Sequence, residues 1–214
     1  GEDYKLKDLI IKKGEIIKPK HIMALTTLGI KYIKVKKKPK IVFISTGNEI
    51  VDYKSKNISA WQVRNSNIHY FTSVGKSLNF DIIDGGTIKD NRSDKFIKII
   101  KKLKNSDINI IVTSGAISAG KFDFIPEVIN RLGFKKCFKG VRIKPGKPIM
   151  LSQFKLKNKL FFGLPGNPIS SAAGFRFFVY PLLRKSLGML NEKSLKAKLN
   201  NNYEKKKNFT HFVR

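Results

Sequence analysis

The order of apolar and amphipathic segments in this 214-residue chain predicts an α/β fold, in which helices cover both faces of a sheet. Short apolar runs of strand length alternate with longer segments whose apolar residues recur at helical spacing. Three of the runs end in polar or glycine-rich loops, "STGNE", "TSGAISAG" and "FGLPGNP". Ligands of such sheets bind at the carboxyl ends of the strands, so these loops also predict a binding site.

The individual elements follow from the same pattern. Strands are predicted at "KIVFIS" (40–45), "DIIDGGTI" (81–88), "DINIIVTS" (107–114), Ile149–Leu151 and Lys159–Phe162. Helices are predicted at 65–80 with Asn65 or Ser66 as N-cap, at 90–104 with a basic outer face, at 126–133, and from Ser170 to about Leu183. Pro126 suits the first turn of its helix, where a missing N–H does no harm.

The two ends of the chain differ from its centre. Pro19 is placed to open a short helix through Leu28 that Gly29 stops, and the following "IKYIKV" alternates like a strand. The last residues are polar and basic, with too little apolar content for a core of their own. We therefore expect a partial preceding module with its linker at 1–38, an α/β domain at 39–187, and either a tail or the start of an incomplete C-terminal β domain at 188–214.

Charge and cysteine content narrow the class of protein. Lys and Arg number 44 against 15 Asp and Glu, giving a net charge of +29, which attracts polyanions. The lysines are spread along the chain without a zinc finger, helix-turn-helix or RNA motif, so we do not expect nucleic acid as the main partner. No apolar run approaches the roughly 20 residues of a membrane helix. Cys137 is the only cysteine, which excludes an intrachain disulfide, so we expect a cytoplasmic protein without membrane association.

Carboxylates follow two of the predicted strands and precede one helix. Glu49 lies after the first strand, Asp90 before the second helix and Asp123 after the third strand. Three acids at strand ends are suited to Mg²⁺, which prefers oxygen ligands. For Asp90 the alternative is that it only caps the helix.

Three further segments point to an anionic ligand. The loop "TSGAISAGKFD" has little side-chain bulk, so its backbone N–H groups can approach a ligand closely. "RIKPGKP" places Lys144 and Lys147 around a Pro-Gly turn, where their ammonium groups can meet phosphate. In "FGLPGNPIS", Asn167 either caps the next helix or faces the ligand, and the helix start is aimed at an anion.

Taken in order, six motifs resemble those of the molybdopterin molybdenumtransferases, the MoeA and gephyrin E-domain family. They are "STGNE", "RNSN", "IKDN", "TSGAISAGKFD", "RIKPGKP" and "FGLPGNPIS". The resemblance implies a three-layer α/β/α molybdopterin-binding domain with a mostly parallel sheet, flanked by pieces of smaller β-rich modules. It also implies a reaction, in which adenylylated molybdopterin is cleaved with release of AMP and molybdate is inserted at the dithiolene.

The resemblance assigns roles to residues at the matching positions. It implies catalytic roles for Glu49, Asp90, Asp123, Lys144 and Lys147, with the three acids holding Mg²⁺. It implies molybdopterin contacts for Thr46, Gly47, Thr113, Ser114, Gly115, Ser118, Gly120, Pro165, Gly166 and Asn167. Carboxylates then position the metal ion, and lysines with backbone N–H groups stabilise the charge of phosphate and molybdate.

Four positions depart from the family pattern. The family favours Asp at Asn48 and Asn65, a second glycine at Ala116 and an acid at Lys121. Mg²⁺ handling suffers if Asn48 or Asn65 replaces a ligand. Ala116 either crowds the loop by one methyl group or forbids a positive φ that glycine allows.

The resemblance also implies the partners of the protein, and several alternative functions stay open. The expected substrates are adenylylated molybdopterin and molybdate, and the family implies a homo-oligomer, a dimer in its full-length members. One alternative is a molybdopterin adenylyltransferase, which has the same fold. Others are a non-catalytic, gephyrin-like scaffold and a basic nucleic-acid binder, whose affinity falls steeply with salt.

Overall fold

The computed structural model of the chain describes residues 3–117, 124–205 and 207–212. These residues form two compact units. One combines the chain through Lys38 with Tyr180–Lys198, and the other combines Pro39–Val179 with the residues from Leu199 onward. The second unit contains the sheet and all of the site described below.

The sheet unit follows the predicted alternation of strands and helices. Its strands are β1 (Ile41–Thr46), β2 (Ile50–Val51), β3 (Val63–Arg64), β4 (Ile82–Ile88), β5 (Ile110–Ser114), β6 (Lys135–Lys139), β7 (Ile143–Lys144), β8 (Met150–Phe154), β9 (Lys159–Leu164) and β10 (Thr210–His211). The helices of the sheet unit are α2 (Asn67–Ser77), α3 (Ser93–Asn105), α4 (Ile125–Arg131) and α5 (Pro168–Gly174), whereas α1 (Pro19–Thr27) belongs to the smaller unit. A 3₁₀ turn at Lys155–Lys157 joins β8 to β9.

Six of the strands form one mostly parallel sheet, in the order β4-β1-β5-β9-β8-β6. Strand β1 pairs in parallel with β4 and β5, and β5 pairs in parallel with β9. Strand β8 runs antiparallel to both β9 and β6. The parallel strands bring the carboxyl ends of β1, β5 and β9 to the same edge of the sheet.

Apolar side chains cover both faces of the sheet. On one face Ile44 and Ile111 pack in a cluster with Phe96 of α3 and Ile129 of α4. On the other face the Phe43 ring lies 4.6 Å from that of Phe71 in α2, measured between centroids. Helices therefore lie on both faces, and the predicted α/β class is confirmed.

Three local predictions need correction. The helix predicted from Ser170 to Leu183 is not uniform, because Phe175–Val179 is a π-helical turn between α5 and α6 (Tyr180–Ser186). The basic strand β6 was not predicted, because its residues do not alternate between apolar and polar. The strand-like reading of "IKYIKV" is wrong, since the structure assigns no strand to residues 30–35 and leaves all of them exposed.

The smaller unit contains α1, which begins at Pro19 as its sequence predicts. The Nδ1 atom of His21 accepts a hydrogen bond from the Lys18 N–H at 3.1 Å, so this buried histidine caps the helix start. Gly29 follows the helix with a φ of +68°, a conformation that glycine adopts without strain. Among the described residues of both units, no helix is long and apolar enough to cross a membrane.

Candidate functional site

A cavity of about 390 Å³ opens at the carboxyl ends of β1 and β5, next to the start of α2 and α5. Its walls come from four segments of the chain, and most of the lining groups are neutral and polar. The lining residues are Ser45, Thr46, Glu49, Ile50, Val63, Arg64, Asn65, Ser66, Asn67, Ser114, Gly166, Asn167 and Pro168. The structure thus brings parts of the three strand-end loops and of "RNSN" around one space.

Buried Asn65 joins β1, β4 and α2 at the floor of this cavity. Its Nδ2 donates to the Thr87 hydroxyl at 3.1 Å and lies 2.9 Å from the Ser45 hydroxyl. Its Oδ1 accepts from the Ile68 N–H at 3.4 Å, within the first turn of α2. Asn65 is one of the positions that depart from the family pattern. Here its amide group links these three elements, and the link uses both its donor and its acceptor atoms.

The ends of β1, β5 and β9 are also tied to one another. The Thr46 hydroxyl donates to the Ser114 carbonyl at 3.0 Å, and the Gly115 N–H donates to the Leu164 carbonyl at 3.0 Å. Gly115 has a φ of +96°, and a Cβ atom there would overlap the carbonyl oxygen of Thr46. A Cβ atom at Gly166 would meet nothing nearer than the Gly115 Cα, at 3.5 Å. The close approach of the loops therefore depends on glycine at 115 more than at 166.

Asn167 caps α5. Its Oδ1 accepts from the N–H groups of Ile169 and Ser170 at 3.1 and 3.2 Å, while Asn67 Nδ2 donates to the Gly166 carbonyl at 3.0 Å. Asn167 also lines the cavity, so the two alternatives for this residue are compatible. Because Asn167 occupies two N–H groups of the helix start, those donors are not open to an anion.

The two described acids of the predicted set lie on adjoining loops. Glu49 lines the cavity, and its carboxylate folds over Gly47, where a Cβ atom would lie 2.5 Å from Oε2. The Asp90 N–H donates to Asn48 Oδ1 at 3.0 Å, which links the two loops. Helix α3 begins at Ser93 and its N-cap is Arg92, so Asp90 does not cap this helix.

The third predicted acid, Asp123, lies outside the described residues, together with Ser118, Gly120 and Lys121. Within 3–117, 124–205 and 207–212, no three His, Cys, Asp or Glu side chains come together as a metal site. The predicted trio is therefore placed only for Glu49 and Asp90.

The lysine turn, residues 143–147, lies outside the cavity lining. Lys144 and Lys147 are both exposed, and a Cβ atom at Gly146 would lie 3.3 Å from the Ser170 carbonyl oxygen in the first turn of α5. The turn thus packs beside the helix whose cap lines the cavity. Pro165 is buried in the loop that leads to that helix.

Two residues of the glycine-rich loop have unexpected environments. Thr113 is fully buried at the end of β5, and its hydroxyl oxygen has no hydrogen-bond partner in the structure. Ala116 has a φ of +48°, so the expectation that alanine forbids a positive φ here is wrong. Alanine holds the glycine-like conformation at a cost in strain.

Sequence reasoning missed several lining residues. Arg64 reaches the cavity wall while its Nε and Nη2 atoms donate to the carbonyls of Tyr53 and Ser55 at 3.2 and 2.9 Å. Ser45 and Asn67 also line the cavity. The usable signal was the cluster "RNSN" at the start of a helix, which places four polar side chains at the same sheet edge.

The chain is similar to known proteins over this region. Residues 42–185 match the family described as "Probable molybdopterin binding domain". The whole chain is 32% identical, over 216 residues, to a molybdopterin molybdenumtransferase of Staphylococcus aureus (strain COL), and covers 50% of that protein. It is 33% identical to the molybdopterin molybdenumtransferase of Haemophilus influenzae over 188 residues, which is 88% of this chain and 45% of that protein.

The fold is similar to the crystal structure of the molybdopterin biosynthesis moea protein from Pyrococcus horikosii. The TM-score is 0.71 at 33% identity, covering 84% of this chain and 43% of that one. The chain spans about half the length of the curated relatives it matches. Because the family match covers well over half of its residues, the chain belongs to the molybdopterin-binding domain family, in its MoeA-type branch.

Proposed function

We propose that this chain is the molybdopterin-binding part of an enzyme that inserts molybdate into adenylylated molybdopterin and releases AMP. Membership of the family supports the broader role, a transferase step in molybdenum cofactor biosynthesis. The observation that carries the proposal is the convergence of "STGNE", "RNSN", the end of β5 and "PGNP" on one cavity. In this proposal residues 39–187 are the molybdopterin-binding domain of a cytoplasmic homodimer.

The cavity chemistry suits a planar, polar ligand. Hydroxyl groups of Ser45, Thr46 and Ser114 and amide groups of Asn67 and Asn167 lie around its walls. Such groups donate to and accept from the ring nitrogens and carbonyl oxygens of a pterin or an adenine. The unpartnered hydroxyl of buried Thr113 marks the same strand end. We infer that Gly47, Gly115, Pro165 and Gly166 contact the ligand through the adjoining backbone, and that Ser118 and Gly120, outside the described residues, also contact it.

The donor atoms of the adjoining loops fit a magnesium ion. Glu49 and Asp90 present carboxylate oxygens on two loops that the Asn48 side chain joins. Hard oxygen ligands are those that Mg²⁺ prefers. We infer that these two residues, with Asp123, hold the ion, which when bound neutralises phosphate charge during cleavage of the phosphoanhydride.

The lysine turn supplies positive charge beside the cavity. We infer that Lys144 and Lys147 contact the phosphate and molybdate oxygens, because both are exposed on a turn that packs beside the start of α5. A lysine ammonium group aimed at developing negative charge stabilises the transition state for phosphate release.

The proposal is tested by following the products of defined substrate mixtures. The protein is incubated with adenylylated molybdopterin, Mg²⁺ and molybdate, and we expect AMP and molybdenum-loaded cofactor to form together. Formation of adenylylated pterin from molybdopterin and ATP would instead identify an adenylyltransferase. Tight pterin binding without turnover in the full-length protein would identify a scaffold. Binding only to nucleic acid, with a steep dependence on salt, would overturn the proposal altogether.

A further inference from the structure

We propose that the C-terminal segment Thr210–Phe212 positions the lysine turn for its anionic ligand, with Phe212 as the positioning residue. This inference rests on the proposed function, since it concerns the same lysines. It assigns a role in the site to a segment whose sequence predicted only a tail or an incomplete module.

Backbone hydrogen bonds join the segment to the turn. Strand β10 pairs in parallel with β7, Thr210 with Ile143 and His211 with Lys144. The Thr210 N–H donates to the Arg142 carbonyl at 2.8 Å, and the Phe212 N–H donates to the Lys144 carbonyl at 2.9 Å. The backbone of Lys144 is thus held directly by the residue that we single out.

An aromatic stack anchors the end of the segment. The Phe212 ring lies parallel to that of Phe177, with 3.7 Å between centroids and 9° between planes. Phe177 belongs to the π-helical turn that continues α5. A two-residue strand pair is marginal on its own, so this stack is expected to decide whether the pairing persists.

The segment has a second anchor, and the turn has a second support. The His211 Nδ1 atom lies 2.9 Å from the Tyr203 hydroxyl. The turn also meets α5, where the Gly146 backbone approaches the Ser170 carbonyl. The turn therefore contacts both β10 and α5, while both lysine side chains remain exposed to a ligand.

The consequence for binding is pre-organisation. A lysine on a free loop must lose backbone and side-chain entropy when it pairs with phosphate, and that loss weakens binding. Hydrogen bonds from β10 reduce the backbone part of this loss before the ligand arrives. Phe212 thus acts on the ligand only through Lys144 and its neighbours in the turn.

A double-mutant cycle in the 214-residue chain tests this, with pterin fluorescence reporting the Kd for adenylylated molybdopterin. We expect Lys144→Ala to weaken binding about tenfold, the effect of one lost charge-assisted hydrogen bond. We expect Phe212→Ala to weaken it about three- to tenfold, and Phe212→Tyr, which keeps the stack, to restore it. The double variant should lose less affinity than the sum of the two single losses, because part of the effect of Phe212 passes through Lys144. Leu156→Ala is the control without effect, because it removes an exposed apolar side chain that belongs neither to the lysine turn nor to Thr210–Phe212.

The outcomes separate this inference from the function on which it rests. Unchanged binding in Phe212→Ala, or losses that add in the double variant, overturn the positioning role while the proposed function stands. If the unaltered chain binds no pterin, the proposed function fails, and hydrogen exchange decides the positioning. Equal amide exchange across 143–147 in Phe212→Ala and in the unaltered chain would then overturn it.

Discussion

Polar residues at the two ends of the parallel strands lie in different surroundings. At the amino end, Lys159 is buried at the start of β9, and its ammonium group donates to the carbonyls of Ser106 and Ile108. The Lys40 N–H there donates to Asn109 Oδ1 at 2.8 Å. At the carboxyl end, hydroxyl and amide groups surround a cavity of about 390 Å³ instead.

This contrast separates structural polarity from functional polarity. Polar groups at the amino end reach backbone carbonyls and N–H groups of the same chain, so they complete the fold. Some groups at the carboxyl end also have partners within the chain, as Asn67 has in the Gly166 carbonyl, but a cavity remains between them. Changes to cavity side chains such as Glu49 should therefore alter activity more than stability, and changes at the amino end should do the reverse.

The largest expected effect is that of Glu49→Gln on activity. If Glu49 holds the metal ion, loss of its charge should lower molybdate-dependent AMP release by at least about 100-fold, a typical loss for a group that acts on transition-state charge. The thermal unfolding midpoint should stay unchanged, because Glu49 is only half-buried.

Asp52→Asn is the matched control, since Asp52 is an exposed carboxylate just after β2 that accepts a hydrogen bond from the Lys54 N–H at 2.8 Å. It should retain the parent rate. Equal rates for Glu49→Gln and the unaltered protein would show that Glu49 has been assigned wrongly.

The second prediction concerns the packing of the strand ends. Gly115→Ala forces a Cβ atom into the Thr46 carbonyl at a positive φ, and should lower the free energy of unfolding by about 2–4 kcal/mol. Gly166→Ala makes only an ordinary contact and should cost less than about 1 kcal/mol. Urea unfolding of both variants checks the difference, and equal losses would contradict the role given to Gly115.

Much of the fold could be predicted because strong local signals agreed with the tertiary structure. The apolar run from Ile41 to Ile44 is buried on both faces of the sheet, as a central parallel strand must be. The prediction failed where pairing with other strands decides: "IKYIKV" alternates like a strand, but it pairs with no strand in the part of the chain that the structure describes. Strand β6 lacks alternation yet forms, because β8 offers its edge.

The site was only partly predictable for a related reason. Glu49, Ser114 and Asn167 were found because each lies at or shortly after the end of a strand, and parallel strands end at one edge. The environment of Asn65 depends on Ser45 and Thr87, which are distant in sequence, so its structural role could not be derived. The pairing of β10 with the lysine turn likewise joins residues 67 positions apart in sequence, beyond the reach of any local pattern.

The third prediction tests the amino end through its pH dependence. Burial lowers the pKa of Lys159, and the nearby Lys157 charge lowers it further. Between the lowered folded-state pKa of Lys159 and the ordinary lysine pKa of about 10.4, the unfolded chain binds this proton more tightly than the folded chain. The contribution of Lys159 to the free energy of unfolding should therefore rise with pH across this window. It should be lowest once the pH has dropped below the folded-state pKa. Lys159→Met should reduce this slope, whereas Lys155→Met, at an exposed lysine, should keep it. Identical slopes for the unaltered chain and Lys159→Met would contradict the effect of burial.

The smallest expected effect concerns Ala116, next to Gly115 at the end of β5. Here a substitution should raise the free energy of unfolding, whereas Gly115→Ala should lower it. Ala116→Gly should raise the free energy of unfolding by about 0.5–1 kcal/mol. An alanine at a φ of +48° carries strain of about 1–2 kcal/mol, which glycine relieves. The greater entropy of the unfolded chain with glycine offsets this gain only in part. Ala60→Gly is the control, since Ala60 is exposed and is not among the residues with positive φ, so only the entropy loss applies and stability should fall slightly. Chemical denaturation of the two variants therefore gives shifts of opposite sign if the loop after β5 is strained. A shift of the same sign in both would mean that the loop accepts alanine without strain, and that this departure from the family pattern costs the fold nothing.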